Sequence, residues 1–132
     1  MVIVDTTVWI DYLRLIDNPE TRWLEQNLHR QRLGLTDLIL CEILQGVRDP
    51  SQFPRVKADL LAFHVFNTGS VEMAIATAQN YRFLRDRGDT VRKTIDCVIA
   101  TFCLQAGHEL LHRDQDYDPF EKVLGLRVVH AA

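Results

Sequence analysis

The sequence predicts an α/β fold, a three-layer α/β/α sandwich with a mainly parallel central sheet. Three observations predict it. Short apolar runs, of the kind buried on both faces of a sheet, alternate with stretches whose apolar residues recur at helical spacing. The helical stretches carry their own start and stop signals in Asn, Thr, Ser, Pro and Gly. Two of the short runs are closely followed by acids, Asp5 after Val2-Ile3-Val4 and Asp114 just beyond Leu110-Leu111-His112. In a parallel sheet both acids fall on the edge where ligands bind. A length of 132 residues, 47% of them hydrophobic and 25% charged, suits a single domain over 1–132 with one substantial core.

Met1 to Val4 is the first strand, and Val8, Trp9, Tyr12 and Leu13 follow at helical spacing. Asn18-Pro19-Glu20 starts a second helix, with Asn as cap and Pro at the first position, running to about Gln31. Leu33-Gly34-Leu35 is a second short strand. Thr36 or Asp37 caps the next helix, which Gly46 ends. Ser51 to Phe63 reads as a helix with Phe53, Val56, Leu60 and Leu61 inward, and His64-Val65-Phe66 as a strand. Ser70 begins a long helix with a broad stripe of Val71, Ala74, Ile75, Ala78, Tyr81, Phe83 and Leu84, ended by Gly88. Thr94 caps a helix reaching Ala106, closed by Gly107. A strand over Glu109 to His112, a polar loop over 113–119 and a last strand over Leu126 to Val129 complete the chain.

Bulk properties narrow the function classes. No apolar run is long enough to span a bilayer, and the basic start of a signal peptide is absent, so the expected location is cytoplasmic. A formal net charge of -3 argues against broad adhesion to nucleic acid, though not against a nucleic-acid substrate. Cys41, Cys97 and Cys103 form no CxxC pair and read as small core residues of a reducing compartment. There is no nucleophile elbow, P-loop or GxGxxG.

The chemistry is carried by acids in apolar surroundings. Asp96 sits in the first turn of a helix that otherwise reads as buried, and Glu42 is the lone charge in Leu38-Ile39-Leu40-Cys41-Glu42-Ile43-Leu44. Each acid has a plainer reading: Asp5 as a helix cap, Asp96 as an ordinary first-turn acid, Asp114, Asp116 and Asp118 as a solvated turn. Glu42 resists its plainer reading best, because the run offers it no solvated face. Buried carboxylates are costly unless paired or bound to a metal. Two of them about 4 Å apart repel by roughly 4 kcal/mol at an effective dielectric near 20. We therefore read Asp5, Glu42, Asp96 and Asp114 as meeting around a divalent cation. Oxygen-only donors favour Mg²⁺ or Mn²⁺, and no Cys/His cluster has zinc spacing. His112 is the one histidine placed near the site.

At these residues the chain resembles the PIN-domain family, specifically the VapC-type toxin ribonucleases of bacterial toxin–antitoxin pairs. The matching pieces are Val2 to Leu13, Glu42-Ile43-Leu44-Gln45-Gly46, Thr94 to Ala100, and Leu110 to Asp118, in the family's order. The resemblance implies a PIN-like α/β/α fold and Mg²⁺- or Mn²⁺-dependent endonucleolytic cleavage of RNA. By position, Asp5, Glu42, Asp96 and Asp114 are its acidic quartet, with Asp116 as an accessory ligand. Thr6 or Thr7 matches its small hydroxyl residue, which bonds a ligand or a water. It also implies a homodimer and silencing by a cognate antitoxin. For RNA contacts we single out Arg92, Lys93 and Arg113; Arg82 and Arg85 read equally well as a solvated face. Two rivals stand beside this: a related nuclease acting on DNA or in RNA processing, and a non-catalytic PIN-like scaffold.

Overall fold

The computed structural model describes residues 1–132. Four strands, β1 (Val2–Val4), β2 (Leu33–Thr36), β3 (His64–Phe66) and β4 (Glu109–Leu111), form one sheet. Their order is β3-β2-β1-β4 and every pairing is parallel. β1 is central, with Ile3 opposite Gly34 on one side and Leu110 on the other. All three of its residues are buried, which is why the segment is apolar without alternation. Gly34 is there because a Cβ would stand 2.9 Å from the His64 carbonyl oxygen.

Helices flank the sheet. α1 (Thr6–Leu13) packs on α2 (Pro19–Asn27) and on α3 (Asp37–Gln45), which in turn meets α4 (Phe53–Leu61). α5 (Val71–Asp86) packs along α6 (Thr94–Ala106). α6 also contacts a 3₁₀ turn, Gln115–Tyr117, that leads into α7 (Asp118–Leu124). The α/β/α expectation holds. The caps at Asn18, Thr36 and Ser70 hold too: each side chain accepts a first-turn N–H, and Asn18 and Thr21 form a reciprocal capping box.

The strand order positions the site. The chain lays down β1, moves outward through β2 and β3, then crosses to β4 on the far side of β1. The direction of winding reverses between β1 and β4, and in sheets of this kind the ligand crevice lies beyond the carboxyl ends of such a strand pair. Asp5 and Asp114 follow those two strands. The seam is closed behind them by the Asp5 N–H donating to the Leu111 carbonyl at 2.9 Å.

Several expectations give way. Lys93, with extended backbone, occupies the cap position of α6, and Thr94 is already helical and makes no cap bond. On α4, Leu60 is buried and Val56 half-buried, but Phe53 and Leu61 are exposed. The apolar stripe of α5 is only in part its buried face. Thr77 and Leu84 are buried, Met73 and Tyr81 pack on the core, and Val71 and Ile75 are 73% and 55% exposed. Asp118 to Leu124, placed in and after a polar loop, forms α7, with Pro119 in its first turn and Gly125 (φ +79°) at its end. Past that glycine only Val128 bridges Leu110, so the expected last strand is a single parallel bridge. Cys97 and Cys103 are buried, their thiols pushed up to about 11 and about 12 by burial, but Cys41 is exposed.

Candidate active site

α1 begins one residue after β1, so Asp5 is at once strand end and helix cap. Its Oδ2 accepts from the Thr7 N–H at 3.2 Å and from the Thr7 hydroxyl at 2.7 Å. The capping role is real and does not exhaust the residue. Asp5 is 3% exposed, and its Oδ1 accepts from the Tyr117 hydroxyl at 2.8 Å. A helix cap on the surface would have water there instead.

Asp96 arrives from the other direction. α6 leads into β4, so its first turn lies at the strands' carboxyl edge. The side chain is 5% exposed, Oδ1 is 3.4 Å from the Tyr117 hydroxyl, and Oδ2 is buried with no hydrogen-bond partner. Burial, then the Asp5 and Asp114 carboxylates, push the Asp96 carboxyl up to about 7. Lys93 acts the other way but does not offset them. A buried oxygen without a donor, among other carboxylates, is an acceptor that a cation would satisfy.

Asp114 caps the 3₁₀ turn by accepting the Asp116 N–H at 2.9 Å. Its own N–H donates to His112 Nδ1 at 3.0 Å. That bond makes Nδ1 the acceptor and puts the ring proton on Nε2; burial lowers the His112 pKa, which favours this neutral form. His112 therefore holds the Asp114 backbone. One carboxylate oxygen from each of Asp96, Asp114 and Asp116 lies within 4.8 Å of the other two. Asp5 joins this group through the shared Tyr117 hydroxyl.

Glu42 is placed differently from the expectation. It is half-buried, with Cys41 and Gln45 exposed beside it, so the apolar run does have a solvated side. It stands outside the close trio and is the weakest of the acids acting on Asp96. The Thr6 hydroxyl donates to Glu42 Oε1 at 2.8 Å. Thr6 and Thr7, expected to face substrate or a ligand, thus each orient one acid. Thr7 Oγ1 also accepts the Arg113 N–H at 3.1 Å, tying the end of β4 to the start of α1.

The basic residues divide. The Arg113 guanidinium, expected at substrate, is paired with Asp11 at 3.0 Å and Glu20 at 3.4 Å, where it straps the loop to α1 and α2. Arg92 and Lys93 are exposed at the entrance to α6 and form no ion pair. Arg85 and Arg87 lie over the rings of Tyr81 and Phe83 on the solvated side of α5. Trp9 is core, against Phe63 and Tyr12. Two residues went unread in the sequence: Asp11, an ordinary helix-surface acid by pattern, and Tyr117. The only signal for Tyr117 was an aromatic ring set in an otherwise polar loop.

The donors fit a hard divalent cation: carboxylate oxygens alone, one of them buried and unsatisfied. No helix is long and apolar enough to cross a membrane.

Known proteins resemble this chain in sequence and in fold. The VapC ribonuclease Mb1587 of Mycobacterium bovis is 27% identical over 129 residues, covering 96% of each chain, and ribonuclease VapC11 of Mycobacterium tuberculosis matches equally. Among solved structures, a toxin–antitoxin complex from Klebsiella pneumoniae superposes with a TM-score of 0.74 at 18% identity, over 98% of this chain and 97% of that one. VapBC2 from Rickettsia felis, bound to a promoter DNA fragment, gives 0.75 at 14% identity and 98% of both. At such identities these two speak for the fold. The PIN domain profile matches residues 2–123, nearly the whole of the acid-bearing chain, and the protein belongs to the PIN domain family.

Proposed function

We propose that the protein is a divalent-metal-dependent endoribonuclease, the toxin of a toxin–antitoxin pair, that hydrolyses RNA phosphodiester bonds at the crevice between β1 and β4. The observation that carries this is Asp96 Oδ2, buried and unpartnered beside Asp114 and Asp116. The relatives' names, VapC ribonucleases, supply the substrate class.

Asp5, Asp96 and Asp114, with Asp116 beside them, are the residues that would hold Mg²⁺ or Mn²⁺. When bound, such a cation activates water and offsets the charge that develops on the phosphoryl oxygens. The chain's own groups do the rest. Thr7 and Tyr117 fix the Asp5 carboxylate from both oxygens, and His112 fixes Asp114 through its backbone. Thr6 holds the Glu42 carboxylate by a hydrogen bond, and Glu42 serves as an outer acid of the site. Arg92 and Lys93 offer unpaired charge to the RNA backbone, contacts that position a strand without reading its bases. The partners are RNA, a cognate antitoxin and a second copy of the chain. The exposed Val71 and Ile75 of α5 support the pairing of two copies.

The test is cleavage of total cellular RNA by purified protein with Mg²⁺, with Mn²⁺, with chelator, and by Asp96→Asn. Discrete cuts that need metal and vanish in the variant are expected. Metal-independent cutting, or cutting that survives the substitution, would overturn the reading.

A further inference from the structure

One buried hydroxyl touches both of the acids that carry no other link to each other. Tyr117 is 0% exposed, and its ring packs at 4.8 Å from that of His112. Its N–H donates to the Asp114 carbonyl at 3.1 Å. The ring is thereby fixed by the same short turn that presents Asp114 and Asp116. Its hydroxyl ends 2.8 Å from Asp5 Oδ1 and 3.4 Å from Asp96 Oδ1. A phenol placed only for packing would be a phenylalanine, since burying a hydroxyl is unfavourable without a partner. Here its two partners are carboxylates from opposite ends of the chain.

We infer that Tyr117 is a positioning residue of the carboxylate site, whose hydroxyl bridges Asp5 and Asp96 and sets their spacing for the cation. The inference rests on the proposed metal-dependent reading of those acids. With Thr7 holding Oδ2 and Tyr117 holding Oδ1, the Asp5 carboxylate cannot rotate without losing a bond. Asp96 has no such support: the long contact to Tyr117 is the only hydrogen bond its side chain makes, and Oδ2 is left free. The hydroxyl is thus the one neutral donor common to two groups that repel. It stands behind them as the ligand-orienting partners of metal sites commonly do.

The experiment is Mn²⁺ binding to the RNA-free protein, by calorimetry and by electron paramagnetic resonance, for the wild type and Tyr117→Phe. Loss of an orienting partner typically weakens metal binding by about 10–100-fold. Tyr117→Phe should show that loss. In cleavage assays, the Mn²⁺ concentration for half-maximal rate should rise by the same factor while the KM for RNA stays unchanged. A merely structural role would lower the melting temperature and leave metal affinity alone. Equal Mn²⁺ affinity in the two proteins would overturn the inference while leaving the metal reading intact. Failure of the wild type to bind Mn²⁺ would overturn the metal reading itself, and the inference with it. Should Tyr117→Phe not fold, the wild type still decides. With the three tyrosines labelled at Cζ, the Tyr117 carbon resonance should move on adding Mg²⁺, and an unmoved resonance would overturn the inference.

Discussion

Asp96 gives the sharpest prediction for a single side chain. Its carboxyl titrates near 7 in the folded protein against 3.8 for an unperturbed aspartate. A raised folded pKa means the folded state holds its proton longer than the unfolded one. Asp96's contribution to the stability of the metal-free protein is then fully present below about pH 4, is lost as pH rises toward 7, and is flat above. Asp96→Asn removes that fall. In chelator, the variant should exceed the parent by about 1–2 kcal/mol at pH 8 and match it at pH 4, as read by urea unfolding. A variant less stable at both values would make Asp96 a structural residue. Arg113 calls for a smaller effect. Its two ion pairs are partly exposed, so Arg113→Ala should cost about 1 kcal/mol, mostly lost at high salt.

At the scale of elements, what the sequence could reveal depended on whether one neighbour or several decide a residue's surroundings. β1 was legible because a strand buried on both faces needs only apolar residues in a row, and Val2-Ile3-Val4 has them. The helix starts at Asn18, Thr36 and Ser70 were legible because a cap is settled within four residues. α5 was not: its apolar residues point partly into solvent, while Thr77 lies buried against α6. Periodicity reports that a face is apolar and not which surface covers it. Residues 115–124 hid a helix because acids and Pro119 there read as a turn, and those same residues suit a helix's first turn. Of the candidate site, the nearness of Asp96, Asp114 and Asp116 was legible, and the half-solvated setting of Glu42 was not. Tyr117 was not, because its role depends on a contact with Asp5, 112 positions away. α5 also permits a test. Val71→Lys with Ile75→Lys should leave the unfolding free energy of the monomer within about 0.5 kcal/mol, since neither residue is core. The same pair should turn the proposed dimer into a monomer by light scattering. Leu84→Ala, by contrast, should cost about 2–5 kcal/mol.

For the whole molecule, the crowd of acids makes stability answer to metal. A cation that binds only the folded state adds about 2.7 kcal/mol at one hundred times its Kd. Adding Mg²⁺ or Mn²⁺ should therefore raise the melting temperature in a concentration-dependent way, chelator should reverse it, and Asp96→Asn should blunt it. The crevice also has a consequence in time. It lies where the first strand of the sheet meets the last, so Asp5 is made three strands before Asp114 and Asp116. A chain halted between β1 and β4 owns one wall of the crevice and not the other. No fragment that stops short of β4 can assemble the acids, so the site comes together in one step, when β4 takes its place beside β1.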